Sequence, residues 1–175
     1  MCGAGVQSVE HSADADSGQF PGNLSFSRMR ALEIFDADEQ GKLAGSLEDI
    51  LRLADPPASR LIWTLRYIEA RDEVSAAWPA GLKDLEAQAS ARKFGLELSW
   101  EKLKALAAVL RSPVDVRLDG WARAPKPGDA PGELAMRIEV LDATLFRVAS
   151  RARAVITALE RRFKDTRSVE LSEMY

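Results

Sequence analysis

The stretch that decides the fold is Met136-Arg-Ile-Glu-Val-Leu-Asp-Ala-Thr-Leu-Phe-Arg-Val-Ala-Ser150, running into Arg151-Ala-Arg-Ala-Val-Ile-Thr-Ala-Leu-Glu-Arg-Arg-Phe163 and then Thr166-Arg-Ser-Val-Glu-Leu171. Its hydrophobic period changes twice. Met136, Ile138 and Val140 alternate with Arg137, Glu139 and Leu141, and Leu145, Phe146 and Val148 resume a β-rich run after a turn at Asp142-Ala143. Ala152, Val155, Ile156, Leu159 and Phe163 then fall on one helical stripe, opposite Arg153, Thr157, Glu160, Arg161 and Lys164. Ser150 reads as the N-cap of that helix, and Val169 with Leu171 as a last short strand. A hairpin, a helix and a strand in this order can each bury an apolar side only against the others, so they form a nucleus.

Working back toward the N-terminus, Val114, Val116 and Leu118 alternate with Asp115, Arg117 and Asp119, which predicts a half-buried strand with a wet face, ended or bent at Gly120-Trp121. Residues 124–133, with three prolines and two glycines, read as a solvated loop between strands. Ser99 caps a helix over Trp100–Arg111, and a weaker helix over Leu82, Leu85 and Ala89 is expected to stop at Gly95. Arg60–Glu69 is apolar on both faces, with Leu61, Trp63, Leu65 and Tyr67 in one phase, and is expected to be a central strand. Ser46 with Asp49 three residues on starts a short helix that Pro56-Pro57 stops. Met29–Phe35 is read as a strand. The irregular order of strands and helices predicts a single α+β domain over residues 28–175, a largely antiparallel sheet with helices packed on one face.

Composition restricts the chemistry. With 175 residues and 46% hydrophobic content the chain can bury a real core. No apolar run approaches the ~18 residues of a spanning helix and no signal-peptide pattern opens the chain, so a cytoplasmic protein without membrane contact is expected. The single cysteine, Cys2, and the single histidine, His11, fall within residues 1–27, a Gly-, Ser- and Asp-rich segment expected to be a disordered acidic tail. An internal disulfide, a Cys/His metal centre and a histidine-based triad are therefore not expected. The tail carries three acidic residues and no Lys or Arg. Of 27 acidic residues 24 remain for the body, matching its 24 basic ones. No bulk charge argues for nucleic acid.

Several residue groups invite a functional reading. Asp36, Asp38, Gln40, Gly41 and Leu43 follow the first half of a calcium loop, but position 12 is Leu47 and the closing bidentate carboxylate is missing, so a polar turn is the expectation and neither metal nor cofactor is assigned. Carboxylate pairs such as Asp36/Asp38, Asp72/Glu73 and Asp115/Asp119 could in principle serve acid–base catalysis, and the last pair reads as solvated strand charge. Arg147, Arg151, Arg153, Arg161, Arg162, Lys164 and Arg167 form a local basic excess around the last helix, without aromatic platforms for bases. Trp63 and Trp100 sit at core phases. Trp78 and Trp121 lie at element ends, where an indole suits an interface. Acidic groups concentrate in the front half. A partner-binding patch is expected to draw on Asp36, Asp38, Glu39, Tyr67, Glu69, Asp72, Glu73, Trp78 and Trp121.

The combination of Arg30-Ala-Leu-Glu-Ile-Phe-Asp36, Leu96-Glu-Leu-Ser-Trp100 heading a helix, and Ile138-Glu-Val-Leu-Asp-Ala-Thr-Leu-Phe146 before a helix resembles small bacterial α+β immunity proteins of polymorphic or contact-dependent toxin systems. The resemblance implies a non-enzymatic inhibitor that covers a toxin domain with a basic surface by presenting acidic and aromatic groups. The alternatives set beside it are an enzyme using surface carboxylates and a nucleic-acid binder using the basic C-terminal helix, with a homodimer as a further use of the same patches.

Overall fold

The computed structural model describes residues 29–39, 41, 43–71, 74–123 and 132–170. The segment expected to be an acidic tail lies outside these residues. So do Gln40, Lys42, Asp72, Glu73, Leu171 and most of the 124–133 loop.

Among the described residues seven strands and four α-helices follow one another in the order β1 (Arg30–Ile34), α1 (Leu47–Ala54), β2 (Ile62–Ala70), α2 (Leu82–Ser90), β3 (Leu96–Leu98), α3 (Trp100–Val109), β4 (Pro113–Arg123), β5 (Glu133–Leu141), β6 (Leu145–Ser150), α4 (Arg153–Arg162) and β7 (Thr166–Val169). All seven strands join one antiparallel sheet in the order β3-β2-β4-β5-β6-β1-β7. The expected α+β domain with helices against a largely antiparallel sheet is what forms. Its middle strand is β5, which begins the Met136–Ser150 hairpin, whereas β2, expected to be central, lies one in from the edge.

The local signals act as chemistry requires. Ser46 and Asp49 close a capping box at the start of α1, the Ser46 hydroxyl accepting the Asp49 N–H at 3.1 Å while the Asp49 carboxylate accepts the Ser46 N–H at 3.1 Å. Ser99 accepts the Lys102 N–H at 3.3 Å and starts α3. Ser150, by contrast, is not the cap of α4. Ala152 holds that position without a side-chain bond, and Ser150 instead ends β6 and accepts the Ala152 N–H at 3.0 Å.

Two glycines shape the strands. Gly95 does not end α2, which stops at Ser90. Its φ of +85° turns the chain into β3, a three-residue strand not foreseen, and a side chain there would begin 2.4 Å from the Leu65 carbonyl oxygen. Of the two outcomes expected at Gly120-Trp121, an end or a bend of β4, the strand shows an irregularity and not an end. The strand runs on to Arg123 through a register shift, and the Trp63 ring lies 3.1 Å from where a Gly120 Cβ would sit.

The core fills the space between helices and sheet. Leu32, Ile34, Trp63, Leu65, Val116, Leu118, Ile138, Val140, Phe146 and Val148 face Leu47, Ile50, Leu85, Leu103, Leu106, Val155, Ile156 and Leu159. Trp63 is fully buried, its indole N–H donates to the Ala58 carbonyl at 2.8 Å, and it stacks on Trp100 at 6.3 Å. Both indoles are thus packing residues, as their phase predicts.

Candidate functional site: the second face of the sheet

Because successive side chains of a strand alternate, the residues between the core positions line the opposite face of the sheet. Register then builds a charged row. Tyr67 of β2 stands opposite Arg117 of β4, Arg117 opposite Glu139 of β5, Glu139 opposite Arg147 of β6, Arg147 opposite Glu33 of β1, and Glu33 opposite Arg167 of β7. Across five strands the sign alternates at every step, and opposite charges directly across a strand pair attract. Thr64, Asp119 and Arg137 begin a second row that ends in the small apolar group Ala149, Ala31 and Val169.

These charges are not a wet face. Glu33 and Asp119 are each 2% exposed, Arg137 4% and Glu139 7%. Glu33 takes both neighbours at once: Arg147 donates to its Oε1 through Nε at 3.0 Å and Nη2 at 2.6 Å, and Arg167 to its Oε2 through Nε at 3.1 Å and Nη2 at 2.5 Å. Burial alone would raise the Glu33 pKa, but the bonds and charges of the two arginines outweigh it and hold the carboxyl below its ordinary range. Arg137 Nε donates to Asp119 at 2.7 Å, while Arg66 and Arg117 stand 3.9 and 3.7 Å from the same carboxylate. Five arginines therefore share three carboxylates.

Glu139 is the exception in the row. Arg117 and Arg147 come no closer than 3.8 and 3.9 Å, and neither Glu139 Oε2 nor the Arg117 Nε has a hydrogen-bond partner. Burial pushes the Glu139 pKa up, with the surrounding arginines opposing it only in part. The folded state takes up this proton at a higher pH than the unfolded chain, whose value is near 4.5. Glu139 therefore subtracts stability as pH rises through its folded pKa, the opposite sign to Glu33. Glu139→Gln is expected to be neutral or stabilising at pH 7 and to flatten the stability profile as pH rises above 4.5, measured by urea denaturation across pH. A loss of more than about 2 kcal/mol at pH 7 would show that the ionised form is the favoured one.

At the β2 end the row becomes aromatic and acidic. A register shift between Leu65 and Tyr67 takes Tyr67 out of the phase it shares in the sequence with Trp63 and Leu65, and Ile68 takes the core position. Tyr67 is 46% exposed and Ile62, on the same face of the same strand, 38%. The Tyr67 hydroxyl donates to Glu69 at 3.0 Å, and that bond, followed by the nearby charges of Glu69, Asp115 and Glu86, raises its pKa. Trp121 sits opposite Ile62, half-buried, its indole N–H donating to the Thr64 hydroxyl at 2.9 Å. Tyr67, Glu69 and Trp121 of the expected patch thus share one surface with Ile62 and Arg117.

The remaining expected patch residues lie elsewhere. Asp36 follows β1, four strand spacings or about 19 Å from β2. Its carboxylate accepts the backbone N–H groups of Lys164 and Asp165 and fastens the turn between α4 and β7. Asp38 and Glu39 are exposed in the loop after it. Trp78 packs on the helical side, donating to Asp84 at 2.7 Å with the Lys102 ammonium 5.4 Å from its ring centre. Asp72 and Glu73 lie outside the described residues. Arg147 and Arg167, grouped in the sequence with the basic helix, converge on Glu33 on the sheet.

Comparison with protein-family models, with curated proteins and with solved structures finds no match to this chain. Among the described residues no helix is long and apolar enough to cross a membrane.

Proposed function

We propose that this chain is a non-enzymatic protein-binding module of the immunity type, which binds a cognate bacterial toxin and silences it. The observation that carries the reading is the surface formed by β2 and β4 on the second face of the sheet. Ile62 and Tyr67, the large apolar side chains most exposed among the described residues, share one face with Trp121 and Arg117, and the charges of Glu69, Asp115 and Glu86 act on the Tyr67 hydroxyl. Tyr, Trp and Arg are the side chains that dominate interface energetics, and carboxylates beside them favour a basic partner surface. The underlying ion-paired sheet holds these groups in place before binding, which reduces the ordering entropy lost on association. The resemblance to immunity proteins supplies the finer identity of the partner, a toxin domain with a basic substrate cleft.

The test is capture of a partner by the tagged full chain from a lysate of its own host, followed by sizing and identification. The expected result is one stoichiometric protein whose toxic activity is silent in the complex. Tyr67→Ala should weaken that complex by about 30-fold, equivalent to about 2 kcal/mol, without changing the fold. Elution of the chain alone or as a homodimer would overturn the proposal.

A further inference from the structure

A cleft of about 580 Å³ opens at the end of the sheet where β2 stops and β4 begins, between the helical layer and the strand ends. Its walls include Leu43, Val114 and Phe146, and Arg71 and Arg111 line the same space. The size falls within the range of small-ligand pockets, which combine apolar walls with a few placed polar groups. The ion-pairing pattern separates these two arginines from those of the sheet face. Arg66, Arg117, Arg137, Arg147 and Arg167 all share carboxylates, whereas Arg71 and Arg111 make no ion pair with any described residue. Asp49 is the one carboxylate among the described lining residues, and it is internally satisfied. Its Oδ2 accepts from the Ser46 N–H at 3.1 Å and hydroxyl at 2.8 Å, and its Oδ1 accepts from Arg52. With Asp49 balanced by Arg52, the described lining carries a net charge of two guanidiniums beside its apolar side chains.

We propose that this cleft binds small amphipathic monocarboxylates, the carboxylate paired with Arg71 and Arg111 and the hydrocarbon laid against Leu43, Val114 and Phe146. Guanidinium pairs with carboxylate through two parallel N–H donors, a geometry that an amide or an amine cannot reproduce. Neither Ile62, Tyr67 nor Trp121 lines the cleft, whose Arg71 and Val114 lie within two residues of Glu69 and Asp115.

The experiment titrates the full isotope-labelled chain with octanoate, octanamide and octylammonium and follows backbone amide shifts. Octanoate is expected to shift signals around Leu43, Arg71, Arg111 and Val114, and to bind at least tenfold more tightly than octanamide, with octylammonium weaker still. The paired change Arg71→Ala and Arg111→Ala should erase the advantage of octanoate over octanamide. Ala44→Phe, which fills the cleft from an exposed position, should abolish both. Equal binding of octanoate and octanamide, survival of the preference in the arginine double variant, or shifts confined to another surface would each overturn the proposal.

Discussion

Glu33→Ala is expected to lower stability by about 3–5 kcal/mol at pH 7, the range found when one partner of a buried ion pair is removed and the other is left behind. The carboxylate is 2% exposed and accepts four hydrogen bonds from two guanidiniums contributed by strands on either side of β1. Alanine at this position would leave a gap at the junction of β6, β1 and β7 and withdraw the anion that both arginines approach. Glu33→Gln, which keeps the shape and one carbonyl acceptor, should cost about half as much. The same pair predicts an acid limb. Because the folded pKa of Glu33 lies below its ordinary value of 4.5, its contribution is fully present above that value and disappears as pH falls through the folded one. Urea denaturation at pH 7 and at pH 3 measures both effects, with a smaller difference between wild type and Glu33→Ala in acid. An unchanged difference at pH 3 would mean that packing, not charge, accounts for the loss.

The helical side of the sheet could be read from the chain because each signal there is local. Ser46 with Asp49 and Ser99 with Lys102 act within one helical turn, and Ile138, Val140, Val155, Ile156 and Leu159 show their period within a dozen residues or so. The second face could not be read in the same way. Glu33 meets Arg147 and Arg167 across 114 and 134 residues of chain, and only the register of three strands brings them together. Without that register Arg147 and Arg167 are simply basic residues flanking a basic helix. One signal was present: the triplets Leu32-Glu33-Ile34, Ile138-Glu139-Val140 and Phe146-Arg147-Val148 each set a charge between two core residues, with both signs represented. The partial success at the binding surface has the same cause. Tyr67 and Trp121 were identified by residue type, but the bulge that turns Tyr67 outward and the cross-strand pairing that sets Trp121 beside Ile62 are properties of the sheet.

Asp119→Ala should be as damaging as the loss of Glu33, about 3–5 kcal/mol, and for a reason that bears on function. Asp119 is the shared anion of three arginines, Arg137 in direct contact and Arg66 and Arg117 within 4 Å. Its backbone carbonyl also accepts from the Thr64 hydroxyl at 3.4 Å, and that hydroxyl receives the Trp121 indole. Removing the carboxylate sets three like charges against one another beneath the Tyr67 and Trp121 surface. The single variant cannot separate lost charge balance from lost packing, but a paired replacement can. Asp119→Leu with Arg137→Met substitutes apolar groups for the closest pair, an exchange that is often neutral or stabilising when both charges leave together. The pair is expected to recover most of the stability lost in Asp119→Ala, read from the urea midpoint at constant slope. If stability returns while capture of the protein partner does not, the charged lattice serves to hold the binding surface rather than to hold the fold, since Trp121 and Arg117 would then keep a folded sheet beneath them without their former electrostatic frame. If both return, Tyr67, Ile62 and Trp121 suffice for recognition and the ion pairs are a way of filling a sheet face. If neither returns, the Asp119 carboxylate is required by Arg66 and Arg117 as well as by Arg137, and the three arginines act as one unit in which replacing a single pair cannot restore balance.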